Sequence, residues 1–315
     1  MVKRTPANPR AIPVLLIAFN RPWHTAQVWE ALRSLQPQRL LVAVDAPRAS
    51  VASDAAACQA VRELLSSPDW PCELSVRCAT SHQGCRHGPA DAISWAFEEV
   101  EQAIILEDDC VPHSSFFPYC AELLERYRSH SQVMGIGGHR WEGPDQLSAA
   151  SYYASRYPNT WGWASWADRW SRFDLSMAEW PQLRTSGWLQ TRFNDPAAVA
   201  YWQRTFNVME SGLDAWDYAW LFACWRCDGL WIRPNVNLVH NIGFAPDGTH
   251  TLQPNHPAGR AAAAMPLPLR HPQQLEVNPA QEALLEWVNF SGMLKRQLHT
   301  AAQRIGAQRA ARTAG

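Results

Sequence analysis

Ala103-Ile104-Ile105-Leu106-Glu107-Asp108-Asp109-Cys110-Val111-Pro112 is the stretch on which the fold turns. Four apolar residues in succession are what a strand carries when helices cover both faces of its sheet. Three carboxylates follow without a break. In an extended chain Glu107 and Asp109 share one face and Asp108 points the other way. Neighbouring anions repel one another unless a cation or a strongly hydrogen-bonding ligand lies among them. Hard oxygen donors suit Mg2+ or Mn2+, which take few protein carboxylates and fill their shell with phosphate oxygens and water. An acidic triplet by itself is more often a solvated loop; its place at the end of a buried strand favours a ligand.

Outward from this strand, the first 140 residues alternate two patterns. Apolar runs at residues 14–19, 40–44, 73–78 and 133–136 read as strands. Helical spacing fills 23–35, 55–65, 90–101 and 115–127, with a polar loop expected over 80–89. Strands alternating with helices imply a mostly parallel sheet with right-handed crossovers, an α/β fold. Ligands of such sheets sit at the carboxyl ends of the strands. Three polar clusters end three of these strands: Asn20-Arg21, Asp45 and Glu107-Asp108-Asp109.

The 315 residues carry 28 basic and 29 acidic side chains, a net charge of −1, so no whole-chain attraction to nucleic acid is expected. Hydrophobic types reach 47%, which excludes general disorder. No apolar run is long enough to span a membrane. With eight cysteines and no export signal, reduced thiols in the cytoplasm are expected. Tryptophan stands out at 17 residues, crowded between Trp141 and Trp231, and many such rings in one stretch often face a sugar.

Past residue 140 the pattern changes. Helices are expected over 196–211 and 216–227, and short strands over 230–234 and 237–242. Residues 254–279, with six prolines, predict an irregular wrap or disorder. A helix over 280–298 and a basic tail follow. Lys295, Arg296, Arg304, Arg309 and Arg312 read as a frayed terminus or as a helix lying peripherally on an anionic inner membrane. Cys224 and Cys227 read as core. Cys78, His82, Cys85 and His87 lack a usual zinc spacing.

In residues 13–21, Ile104 to Tyr119, Gly162-Trp163 and residues 216–251 the chain resembles the GT-A glycosyltransferases. The likeness is to inverting enzymes with a Glu-Asp-Asp motif: the Golgi N-acetylglucosaminyltransferase family and bacterial homologues labelled haemolysin-like. It implies a GT-A domain over 1–252, with a nucleotide-binding half (1–140) and an acceptor half (141–252), before the wrap and tail of 253–315. It also implies transfer of a sugar from a nucleotide-sugar, UDP-linked in the relatives, to a glycan or lipid-linked hydroxyl. Arg21 and Asp45 would contact base or ribose, Asp108 the ribose, Glu107 the donor sugar, and Asp109 the Mn2+ or Mg2+. His87 matches a histidine beside the base once a gap is allowed.

In-line displacement needs a base opposite the leaving diphosphate, because a neutral hydroxyl is a poor nucleophile. By resemblance that base is Asp217, with Asp214 the rival; a helix-capping role is the alternative for Asp217. Trp161, Trp163 and Trp216 are the expected acceptor-stacking residues, with Trp220 a further candidate. The loop 243–251, hinged at Gly243 and Gly248, would close over the donor through Thr249, His250 and Thr251. A sugar nucleotidyltransferase and a non-catalytic carbohydrate binder remain as alternatives, the first weakened by the absence of a glycine-rich loop after the first strand.

Overall fold

A computed structural model describes residues 8–141, 149–244 and 257–286. These divide into two compact units, one of residues 1–175 with 214–277, the other of 176–213 with 278–315.

The first unit is built on an eight-stranded sheet. Its strands are β1 (Val14–Ala18), β2 (Arg39–Val44), β3 (Glu73–Cys78), β4 (Gln102–Glu107), β6 (Val133–Gly137), β7 (Tyr152–Ser155), β8 (Trp163–Trp166) and β9 (Leu230–Pro234). A short β5 (Cys110–Pro112) pairs separately and antiparallel with β10 (Val239–Asn241). The order in the large sheet is β3-β2-β1-β4-β8-β6-β9-β7, and only β7 and β8 run against the rest. The sheet is mostly parallel and flanked by helices, the α/β class expected.

Period-two alternation divides the apolar residues between two cores. Val14, Leu16, Val42, Ile104 and Leu106 pack against α1 (Pro22–Leu35), α2 (Ala52–Leu65) and α4 (Phe116–Tyr127). Leu15, Leu41, Ala43 and Ile105 face the other way, toward α3 (Gly84–Glu99), α5 (Ala167–Trp170) and α8 (Asp217–Arg226). Burial on both faces explains why β1, β2 and β4 read as unbroken apolar runs.

The aromatic segment differs from expectation. Trp163 to Trp166 form a central strand, antiparallel between β4 and β6, with Ile105 opposite Trp163. The Trp163 ring lies 5.5–6.2 Å, centroid to centroid, from Trp170, Trp216, Trp220 and Trp231. Trp163 is 0% exposed and Trp216 4%, and Trp220 is buried as well. None presents a face on which a sugar could stack; these rings fill the core beneath β8, which corrects the acceptor role expected for Trp163 and Trp216. Trp161 is only partly buried, against His139 and Phe244.

Residues 257–277 follow the irregular course expected of a proline-rich stretch. The Met265 N–H donates to Ser115 Oγ, and Met265 and Leu269 enter the first core. In the second unit, α6 (Trp180–Leu183) and α7 (Pro196–Glu210) share a small core of Trp180, Trp202 and Phe206. The start of α7 is set by Asp195, whose carboxylate accepts the Ala197 N–H, and by Pro196 in the first turn. A last helix, α9 (Pro279–Glu286), belongs to the same unit. The basic tail lies outside the described residues. Among the described residues no helix is long and apolar enough to cross a membrane. All eight cysteines are described and none forms a disulfide.

Candidate functional site

From β1 the sheet grows one way through β2 and β3 and then the other way through β4, so the crevice between β1 and β4 is a topological switch point. Parallel register sets the strand ends side by side. Ile17 pairs with Ala43 on one side and with Glu107 on the other, and Ala18 pairs with Val44. The residues just beyond, Phe19 to Arg21, Asp45 and Asp108, therefore emerge together. They line a cleft of about 750 Å³ shared with Arg48, Arg77, Thr80, His82, Cys85, Glu107 and Asp214.

At the β1–β4 end the charges are dense. Arg21 pairs with Asp108 and lies 2.9 Å from Asp109 Oδ2. Asp108 is buried, and its second oxygen accepts the Phe19 N–H at 3.2 Å. Burial opposes the charge on Arg21, yet Asp108 and Asp109 hold its pKa well above the ordinary value. Burial raises Asp108, with Arg21 opposing. Glu107 is pushed up to about 8 by burial and by Asp109, Asp108 and Asp217.

The other end is aromatic and cationic. The Phe19 and His82 rings lie 4.9 Å apart, and the Arg48 guanidinium stands 5.5 Å from the Phe19 centroid. Arg48 and Asn20 are steered by the buried Asp54, which accepts from Arg48 Nε at 2.6 Å and from Asn20 Nδ2 at 2.8 Å. Sequence reasoning missed Phe19, Arg48 and Arg77 because nothing local marks them; parallel register brings them to the cleft.

Asp45 has a structural duty that was not foreseen. Its carboxylate accepts the N–H groups of Ala46, Gln83 and Gly84, and His82 Nδ1 lies 2.9 Å away. The same nitrogen lies 3.0 Å from the Ala46 carbonyl, so with acceptors on both sides the ring proton sits on Nδ1. A second carboxylate, Asp214, accepts the Arg86 N–H at 2.7 Å. Together they serve the free donors at the start of α3. This is why α3 begins at Gly84 with Pro89 inside it, where a loop was expected through residue 89. The earlier start corrects His87. It lies on a helix whose cleft-facing residues are Gly84, Cys85, Gly88, Pro89, Asp91 and Ala92, and it is exposed on another side.

Asp217 is the first residue of α8. Trp216, just before it, stacks on Trp163 at 6.0 Å, which fixes the start of that helix against the core. Gly243 packs on Asp109 so tightly that a Cβ there would overlap Oδ2, and the Ile242 N–H donates to the Asp109 carbonyl at 2.9 Å. The donor loop beyond Phe244, with Gly248, Thr249, His250 and Thr251, lies outside the described residues.

Carboxylate oxygens are the donors that Mg2+ or Mn2+ would take, and Asp109, which keeps 14% of its side-chain surface open beside Arg21, is the residue that would hold such an ion. Among the described residues no three His, Cys, Asp or Glu side chains form a ready cage. The same holds of Cys78, His82, Cys85 and His87.

No protein-family model and no curated protein matches this chain. Among solved structures it is similar to a UDP-glucose pyrophosphorylase complexed with UDP-glucose. That match covers 51% of this chain and 79% of the other, at 10% identity and a TM-score of 0.30. A likeness this small carries no weight for the site, whose reading rests on its own geometry.

Proposed function

We propose that the protein is a metal-dependent glycosyltransferase of the GT-A kind. It moves a sugar from a nucleotide-sugar, UDP-linked by resemblance, to a glycan or lipid-linked hydroxyl with inversion. The observation that best supports this is one cleft with two chemically distinct ends at a topological switch point. Phe19, His82, Arg48 and Arg77 offer aromatic and cationic contacts at one end, and Arg21 with Glu107 and Asp108 stands at the other.

In this reading the base lies toward β2 and β3, with Asp45 and Asp108 beside the ribose and Glu107 accepting from donor sugar hydroxyls. Asp109 would hold the Mg2+ or Mn2+ whose charge offsets that growing on the departing diphosphate. Arg21 keeps the Asp108 and Asp109 carboxylates together and contributes positive charge to the phosphate side. An Asp217 carboxylate oxygen takes the proton from the acceptor hydroxyl as the bond to the anomeric carbon forms. Trp161 remains the candidate for stacking on the acceptor.

UDP release from a panel of UDP-sugars with Mn2+ tests this, for wild type, Asp109→Ala and Asp217→Asn. Asp109→Ala should abolish metal-dependent turnover. Asp217→Asn should bind UDP normally and lose roughly 10²–10⁴-fold in turnover. No turnover by wild type with any donor would overturn the assignment. Pyrophosphate release from UTP and a sugar 1-phosphate would make the protein a nucleotidyltransferase instead.

A further inference from the structure

Arg86 touches both places where the chain leaves and re-enters the first unit. Its backbone N–H donates to Asp214 Oδ1 at 2.7 Å, and its guanidinium donates to the Leu175 carbonyl at 3.3 Å. Leu175 is the last residue of this unit before the chain departs, and Asp214 is the first on its return. Gly84 makes room for the contact. It has a φ of +70°, and a Cβ there would lie 3.0 Å from both Asp214 carboxylate oxygens. Three residues after Asp214 stands Asp217, at the start of α8.

We infer that Asp214 is a positioning residue rather than the proton acceptor: with Arg86 and Gly84 it forms a clasp that pins the returning chain to α3 and so sets the start of α8, where Asp217 stands. This rests on the glycosyltransferase reading for its catalytic consequence, while the clasp itself stands on the contacts above. The Asp214 carboxylate accepts a backbone donor in the first turn of α3. Asp217 instead opens α8, three residues along the returning chain.

The clasp and base roles differ in their response to asparagine. Asn Oδ1 can accept the Arg86 N–H but cannot take a proton from a hydroxyl. Full-length wild type, Asp214→Asn, Asp214→Ala, Gly84→Ala and the Gly84→Ala/Asp214→Ala double variant are compared by two readouts. One is hydrogen exchange across the peptide holding residues 83–90. The other is UDP release from UDP-N-acetylglucosamine, UDP-glucose and UDP-galactose with Mn2+, resolved into kcat, donor KM and pH profile. Asp214→Ala should speed exchange at the Arg86 amide about tenfold or more and lower kcat by a similar factor, with donor KM within about threefold. Asp214→Asn should restore both to within about fivefold and leave the shape of the pH profile unchanged. Gly84→Ala should copy Asp214→Ala, and the double variant should be no worse than either single one. Arg86 exchange indifferent to Asp214→Ala would overturn the clasp. Asp214→Asn as inactive as Asp217→Asn would make Asp214 the base. If wild type turns over none of the three donors, the transfer reading fails in these assays and the exchange data alone decide the clasp.

Discussion

Arg21 Nη2 lies 2.9 Å from Asp109 Oδ2 and also pairs with Asp108, so one guanidinium spans two of the three successive carboxylates at the end of β4. Asp108 is buried, and its charge depends on this contact and on the Phe19 N–H. Removing one partner of a buried ion pair leaves an uncompensated charge. Arg21→Ala should therefore cost about 3–5 kcal/mol in urea unfolding. Arg21→Lys should recover only part of that, because a single ammonium lacks the planar fork. An Arg21→Ala protein as stable as wild type would show that the pair is not needed by the fold.

Gly243 should separate stability from metal affinity. The atom a Cβ would overlap is the tip of the Asp109 side chain, which can rotate away at small cost to folding. Asp109 would then lose its place beside Arg21. Gly243→Ala is expected to shift Tm by no more than a few degrees and to weaken Mn2+ binding, measured with UDP present, by about tenfold. Unchanged Mn2+ affinity would place the cation elsewhere.

The tryptophans should divide into two kinds. Trp163→Ala removes a ring at the centre of the cluster under β8, and a loss of about 3–5 kcal/mol is expected. Trp161→Ala, altering a part-buried ring, should change stability much less and raise the acceptor KM while leaving donor hydrolysis alone. Equal destabilisation by both would return Trp161 to the core.

Asp54 gives the pH dependence. The Arg48 guanidinium, with Asn20 adding, holds its carboxyl well below the usual carboxylate range. A pKa lower in the folded than in the unfolded chain stabilises the fold fully above the unfolded value of about 4. That contribution is lost as pH falls below it toward the folded pKa. Asp54→Asn should be less stable than wild type by about 1–3 kcal/mol at pH 7. The gap should narrow below about pH 4. Thermal melts at pH 7, 4 and 3 check this, and a gap constant across them would refute the linkage.

Much of the site was legible because it is local. A buried parallel strand must be apolar along its length, so the first polar residue after it marks the sheet edge. Glu107, Asp108, Arg21 and Asp45 were found on that signal, and all four line the cleft. The start of α3 was hidden because its caps come from Asp45, 38 residues before Gln83, and Asp214, 128 residues after Arg86. Local spacing saw only glycine, histidine and proline, which argue for a loop. The expected role of His87 came from the family likeness across a gap, and the residue is not among those lining the cleft.

The sequence alone determined the α/β class, the run of strands through β4 and the carboxylates that end it, because continuous burial and strand termination are written in consecutive residues. Tertiary structure alone decided which tryptophans are core. Whether an indole faces a sugar or another indole depends on the antiparallel insertion of β8 between β4 and β6, and no spacing of rings along the chain encodes that pairing. It also decided the partners of each carboxylate. Asp109 meets Arg21 and Gly243, and Asp214 meets Arg86, through register and close approach between segments far apart in the chain.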